Sequence, residues 1–260
     1  MSSVTGRIAQ IKQPSGGYVK PSQLTVHKWD DGLRLNPKEN IHGSVVGMVV
    51  DYLTRFAMGD ELLDAFRISC KGAEIAERIF KKEGTVKRAR QLLEGIETID
   101  EKAVVNATKL VTYDVWLRNP MNALFVKGED ETNPDAETIQ NIIIMIERSI
   151  RFWESEGPIV KEGFTFEPNG YTETVRSGDG DYLTADTLWD FKVRRSKPTN
   201  KDTLQLLMYW IMGQHSGQTI YRNIKNVGIY NPRLNEAYLL EVSTIPQEIV
   251  AKIEKDVICY

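Results

Sequence analysis

The sequence predicts an α/β protein in which a helical N-terminal region precedes a mixed central sheet flanked by helices. Three observations carry that expectation. Apolar residues recur at three- and four-residue spacing through about residue 154, the period of amphipathic helices. After Gly157-Pro158 the period changes to two, the signature of strands. From residue 135 onward the elements then read as helix, three strands, helix, strand, strand, helix. At 260 residues and 41% hydrophobic, the chain can bury a full core as one large or two small domains.

Residues 1–40 are rich in Ser, Gly, Pro and Lys, lack a sustained period, and are punctuated by Pro14, Pro21 and Pro37. They are expected to form an extended arm on the surface. Residues 41–134 form the helical region. Ser44 is expected to cap a helix running to Phe56, with Val45, Met48, Val49, Tyr52, Leu53 and Phe56 on one stripe and Gly59 ending it. Residues 60–83, 86–95 and 101–118 continue in the same style, and Pro120 stops the last. The acidic stretch 128–134 reads as a solvated loop.

Residues 135–260 are expected to form a further region, packed with the helical one as a single unit. Asp135 or Thr138 opens a helix to about Glu154 whose buried side carries Ile139, Ile142, Ile143, Ile146, Ile150 and Trp153. Residues 159–166 then read as a strand, and Asn169-Gly170 as a hairpin turn. The return strand from Tyr171 is interrupted by Gly178 and Gly180 before 181–184, as a bulge that re-aims Asp181. A second hairpin around Ala185-Asp186 leads into the strand carrying Asp190. Thr199 to Asp202 open a helix closed by Gly213. Strands near 227–230 and 237–242 and a helix from Pro246 to about Val257 complete the chain.

Composition excludes several classes. A net charge of −3 is not that of a globally basic coat protein, although it permits a local basic groove beside an acidic site. Two cysteines, Cys70 and Cys259, are too few for a disulfide framework, a four-cysteine zinc site or a four-cysteine iron–sulfur cluster. No apolar run approaches a membrane span, and the N-terminus lacks the apolar core of a signal peptide. A cytoplasmic protein is expected. His27, His42 and His215 show no ligand spacing.

The chemistry concentrates between Gly178 and Lys192. Residues two apart on a strand share a face, so Asp190 and Lys192 point one way while Trp189 and Phe191 point the other. A tight hairpin lays the strand of Asp181 beside them. Leu188, Trp189, Phe191 and Val193 make the strand nearly continuous in apolar residues, as in a buried central position. Burying an Asp and a Lys there costs several kcal/mol unless they pair or bind metal. Two carboxylates and an ammonium at one place form a divalent-metal phosphodiesterase arrangement. On the following helix, Gln205 and Tyr209, four apart, share a face.

The string from Gly178 to Tyr209 resembles the PD-(D/E)XK nuclease superfamily, specifically its RecB-like exonuclease branch. It presents Gly178-Asp179-Gly180-Asp181, then Asp190-Phe191-Lys192, then Gln205-Leu206-Leu207-Met208-Tyr209, in that family's order and spacing. The resemblance covers about residues 135–245 and implies a restriction-endonuclease-like core. It implies Asp181 and Asp190 as metal ligands with the Phe191 carbonyl nearby, and Lys192 as the group that orients or deprotonates water and steadies charge. It implies Gln205 and Tyr209 as supporting or DNA-contacting residues, and Glu162 as a candidate further ligand. Where relatives often carry a histidine on an N-terminal helix, this chain has Asp51; Glu147 is another possible ligand. Oxygen ligands select Mg²⁺ or Mn²⁺.

The expected partner is DNA, with RNA left open, and a partner protein or a homo-oligomer is possible. Arg194, Arg195, Lys197 and Lys201 follow the strand of Lys192 and are placed to meet phosphates. The rival expectation is a nuclease-fold module that binds nucleic acid or assembles with a partner without cutting.

Overall fold

The strongest apolar strand of the sequence lies at the centre of a mixed sheet in the computed structural model, which describes residues 2–260. In chain order the strands are β1 (Ser2–Ser3), β2 (Thr25–Lys28), β3 (Lys161–Phe164), β4 (Val175–Ser177), β5 (Gly180–Leu183), β6 (Thr187–Phe191), β7 (Asn226–Asn231) and β8 (Glu236–Glu241). The helices are α1 (Val4–Gln10), α2 (Gly43–Ala57), α3 (Leu62–Ala65), α4 (Arg67–Arg78), α5 (Thr85–Glu94), α6 (Glu101–Leu110), α7 (Asp114–Arg118), α8 (Ala136–Glu156), α9 (Asn200–His215) and α10 (Gln247–Lys252). The chain divides into two units. One holds the residues up to Trp29 together with Trp153–Tyr260, and the other holds Asp30–Phe152.

The sheet unit contains six strands in the order β2-β8-β7-β6-β5-β3. β3, β5 and β6 form an antiparallel meander, and β7 lies parallel to β6. A parallel neighbour requires a crossover, and α9 supplies it. All five residues of β6 are buried, as its apolar run predicts. On one side of the sheet, Leu204, Leu207, Met208 and Ile211 of α9 pack with Leu183, Leu188, Val227 and Ile229. On the other, Trp153 at the end of α8 meets Tyr182, Trp189, Phe191 and Tyr230.

The N-terminal segment is not the surface arm expected. Ser3 caps α1 by accepting the Gly6 amide at 3.0 Å, and Val4, Ile8, Val19 and Leu24 join the core beside α9. β2 then closes one edge of the sheet against β8. Four well-spaced apolar anchors integrate this stretch despite its lack of a long period. The return strand is also shorter than expected. β4 pairs in parallel with β1, so Asn169-Gly170 does not join two paired strands. Gly213 does not end α9, which continues to His215. A Cβ at Gly213 would lie 2.5 Å from the Tyr221 ring, so the glycine admits that ring against the helix.

The helical unit contains α2 to α7 and α8 as far as Phe152. His42, not Ser44, caps α2; its ring nitrogen accepts the Ser44 amide. The observed division falls after Trp29 and after Phe152, not at the expected 40/41 and 134/135. Residues 36–40 are tied to α8 by the Asn36 amide on Asn141 Oδ1 (2.7 Å) and the Asn40 amide on Thr138 Oγ1 (3.1 Å). Both the arm's end and most of α8 therefore belong with the helices. Among the described residues, no helix is long and apolar enough to cross a membrane.

Candidate active site

β5 and β6 form a hairpin whose turn is closed by the Thr184 amide donating to the Thr187 carbonyl at 3.0 Å. The ladder opposes Tyr182 to Trp189 and Leu183 to Leu188. Its next step sets Asp181 opposite Asp190, and directly opposed residues share a face. Lys192 lies just past β6, yet its amide still bonds the Tyr230 carbonyl at 2.9 Å. The alternation therefore persists, and Lys192 Nζ reaches Asp190 Oδ1 at 3.0 Å. The structure brings the three predicted side chains together.

Their hydrogen bonds are unequal. Asp181 Oδ2 accepts the Phe191 amide at 2.7 Å, which fixes the carboxylate against the neighbouring strand. Asp190 is 2% exposed, and its Oδ2 is buried without a hydrogen-bond partner. Burial works against the Lys192 ammonium, but the charges of Asp190 and Asp181 and the bond to Asp190 outweigh it. The net effect holds its pKa above the ordinary lysine value.

Gly180 helps place Asp181. A Cβ there would fall 1.9 Å from the Phe164 ring, so only glycine lets that ring lie on β5 one residue before the carboxylate. The Tyr171 hydroxyl also donates to the Gly178 carbonyl at 2.6 Å, securing the loop that enters β5.

α9 overlies this face. Thr199 caps it, with its amide and hydroxyl both donating to Asp202 Oδ2 at 2.6 and 2.7 Å. One turn further, Gln205 Nε2 donates to the Tyr209 hydroxyl at 2.8 Å. Burial raises the Tyr209 pKa, and the charges of Asp190 and Asp181 raise it further, so its hydroxyl lies within their field. The predicted Gln205/Tyr209 pair lies on the α9 side of the sheet, where the Tyr209 ring meets those of Phe164 and Phe166.

Other predicted residues fall elsewhere or act differently. Glu162 is opposite Tyr182 in the ladder, not Asp181, so it belongs to the other face of the sheet. Phe191 is tied to the site through its amide, while its ring joins the aromatic cluster. Arg194 is not presented for phosphate, because its guanidinium grips Asp202 through two bonds of 3.0 and 2.7 Å. Arg195, Lys197 and Lys201 are exposed. Asp51 and Glu147 lie in the helical unit. Asp51 is bridged by Arg55 at 3.1 and 3.2 Å, and Glu147 is exposed on α8.

Sequence reasoning missed Asp202 and Asn231. Thr199 followed three residues later by an acid is a capping signal, whereas nothing marked Asn231. Among the described residues, no group of three or more His, Cys, Asp or Glu side chains is gathered closely enough to hold a metal. A cavity of about 1000 Å³ lies in the helical unit, but none of the predicted site residues lines it. Its wall includes Asp114, which Ser69 and Tyr52 bond at 2.5 and 2.6 Å and whose pKa burial raises.

Of the predicted residues, Asp181 and Asp190 are the two that could hold a hard cation. The donors are carboxylate oxygens, and Asp190 Oδ2 is a buried acceptor that no protein group satisfies. No family model matches the chain, and neither do any of the curated proteins or solved structures compared with it.

Proposed function

We propose that the chain is a divalent-metal-dependent nuclease that hydrolyses phosphodiester bonds in DNA, of the RecB-like exonuclease type. The observation that carries this reading is the Asp190 carboxylate. It is buried opposite Asp181, one oxygen is bound to Lys192, and the other has no donor. An unsatisfied buried acceptor costs about 1–3 kcal/mol, more for a charged group. A bound cation would offset that cost. The succession α8, β3, β5, β6, α9, β7, with its antiparallel meander and crossover to a parallel strand, supports a restriction-endonuclease-like core.

Asp181 and Asp190 would hold Mg²⁺ or Mn²⁺, which when bound polarises a phosphate oxygen and lowers the pKa of a coordinated water. Asp181, steadied by the Phe191 amide, presents its carboxylate without rotating away. Lys192 places a positive charge at the reacting phosphate, orients the attacking water and steadies the charge that builds on the phosphate oxygens. Gln205 and Tyr209 line the α9 side and orient the substrate backbone. Arg195, Lys197 and Lys201 supply cations for neighbouring phosphates, so activity falls as salt rises.

The test is a panel of linear, nicked, circular and single-stranded DNA and of RNA, incubated with Mg²⁺ or Mn²⁺. Cleavage is expected to require the metal, and Asp190→Asn and Lys192→Ala each to lower it by about 10²–10⁴-fold. Metal-dependent cutting undiminished in both variants would overturn the assignment. Tight nucleic-acid binding by a wild-type chain that cuts nothing would favour the non-cutting module instead.

A further inference from the structure

Lys192 is the first residue beyond β6, where a chain leaving a sheet ordinarily loses its pairing. Here backbone pairing runs on to Lys192, whose amide bonds the Tyr230 carbonyl, and a side chain then extends it to Arg194. Asn231, the last residue of β7, brackets the backbone of Arg194. Its Nδ2 donates to the Arg194 carbonyl at 2.8 Å, and its Oδ1 accepts the Arg194 amide at 3.5 Å and the Arg233 amide at 3.1 Å. The side chain of Arg194 then crosses to α9 and chelates Asp202. Asn231 is 1% exposed and Asp202 is 6% exposed, so water competes little for these bonds.

We propose that Asn231 and Asp202 are positioning residues that pin residues 192–194 between β7 and α9, and so hold the Lys192 ammonium at the carboxylate pair. This rests on the nuclease reading above. A helix-capping role accounts for the bonds from Asp202 to Thr199, but not for its chelation of Arg194. Asn231 caps no helix at all; its bonds to Arg194 fix the strand exit two residues after Lys192. Lysine is a flexible stem carrying a point charge, so its reach is set by where its backbone is held. A misplacement of about 1 Å at a reacting centre can cost on the order of 100-fold in rate.

The experiment compares Asn231→Ala, Asp202→Asn and Arg194→Lys with the wild type on linear DNA and Mn²⁺. Arg194→Lys keeps the charge and loses the two-pronged grip. Each variant is expected to lower kcat by about 10- to 100-fold while KM changes little. Mn²⁺ affinity by calorimetry should persist, because Asp181 and Asp190 are held by the strands themselves. In a Lys192→Ala background Asn231→Ala should remove no further rate. Amide hydrogen exchange gives a readout independent of turnover: in Asn231→Ala it should accelerate across residues 192–194 and stay unchanged in β5.

An unchanged kcat, an equal loss in the Lys192→Ala background, or unchanged exchange at residues 192–194 would each overturn the proposal. Loss of Mn²⁺ binding together with thermal stability would overturn it in favour of a purely structural role. A wild-type chain that cuts no substrate would instead sink the nuclease reading, whereas an active wild type matched by its variants sinks only the positioning role.

Discussion

The two faces of the β5–β6 hairpin are built by one alternation and could hardly differ more in how their atoms are satisfied. On one face Trp153 meets Tyr182 at 4.6 Å, Trp189 at 6.0 Å and Phe191 at 6.4 Å between ring centroids, and all four residues are less than 10% exposed. On the other, Asp181, Asp190 and Lys192 crowd two negative charges and one positive charge under α9. Each aromatic ring buries on the order of 150–250 Å² and stabilises the fold. The charged face carries desolvation costs and an acceptor left open. The hairpin is therefore held by its aromatic face, while one carboxylate oxygen on its polar face is left without a donor.

The largest effect expected is on activity. Asp190→Asn and Lys192→Ala should lower DNA cleavage by about 10²–10⁴-fold or more, with circular dichroism showing the fold retained. The double variant Asp190→Leu/Lys192→Met makes both faces apolar. Replacing a buried ion pair by apolar residues of similar volume is often neutral or stabilising by about 1–4 kcal/mol. With Lys192 partly exposed, the gain should fall at the low end. Urea denaturation showing a loss of stability in this variant would mean that the charged face contributes to holding the hairpin.

On the aromatic face the effect should be on stability. Trp189 is 1% exposed, and Trp189→Ala should cost about 3–5 kcal/mol in urea melts. Gly228, its neighbour on β7, is glycine because of that indole: a Cβ there would lie 2.5 Å from Trp189 Cζ3 and 3.1 Å from Leu239 Cδ2. Gly228→Ala should therefore cost about 1–3 kcal/mol by overpacking. Combining it with Trp189→Leu, which vacates the contested space, should cost less than the two single changes added together. Strict additivity would show that the glycine is there for another reason.

The charged face was legible in the sequence because its code is local. A period of two places Asp190 and Lys192 together, a short turn brings Asp181 alongside, and a four-residue spacing aligns Gln205 with Tyr209. What could not be read depends on contacts distant in sequence. Val4 and Ile8 occupy a helix too short to show a period, yet they reach a core built largely from Phe164 onward. β2 is exposed at all four positions and is a strand only because β8 offers it an edge. Glu162 looked like a ligand until the register set it opposite Tyr182, since a one-residue difference in register exchanges faces. Arg194 looked like a phosphate contact, and its partner Asp202 lies on the next element. In both cases the residue type was informative and its direction was not.

A smaller effect contrasts Asp190 with an acid whose oxygens are both engaged. Asp31, in the helical unit, accepts Arg148 Nε at 2.7 Å on Oδ2, Arg148 Nη2 at 2.9 Å on Oδ1 and the Leu33 amide at 3.1 Å. Arg151 adds a contact of 3.3 Å. The Arg148 hydrogen bonds, opposed by burial and aided by the Leu33 amide, lower its pKa from 3.8 to about 2. A carboxyl whose folded pKa is depressed stabilises the native state above its unfolded value, and that contribution disappears as pH falls through the folded value. Asp31→Asn should therefore lower Tm at neutral pH. The gap between wild type and variant should narrow between about pH 4 and pH 2, as the wild-type carboxyl takes up its proton. A gap that stays constant across that range would mean that the shape of Asp31, and not its charge, ties residues 30–33 to α8. The acid whose oxygens are engaged would then differ from Asp190 in packing alone.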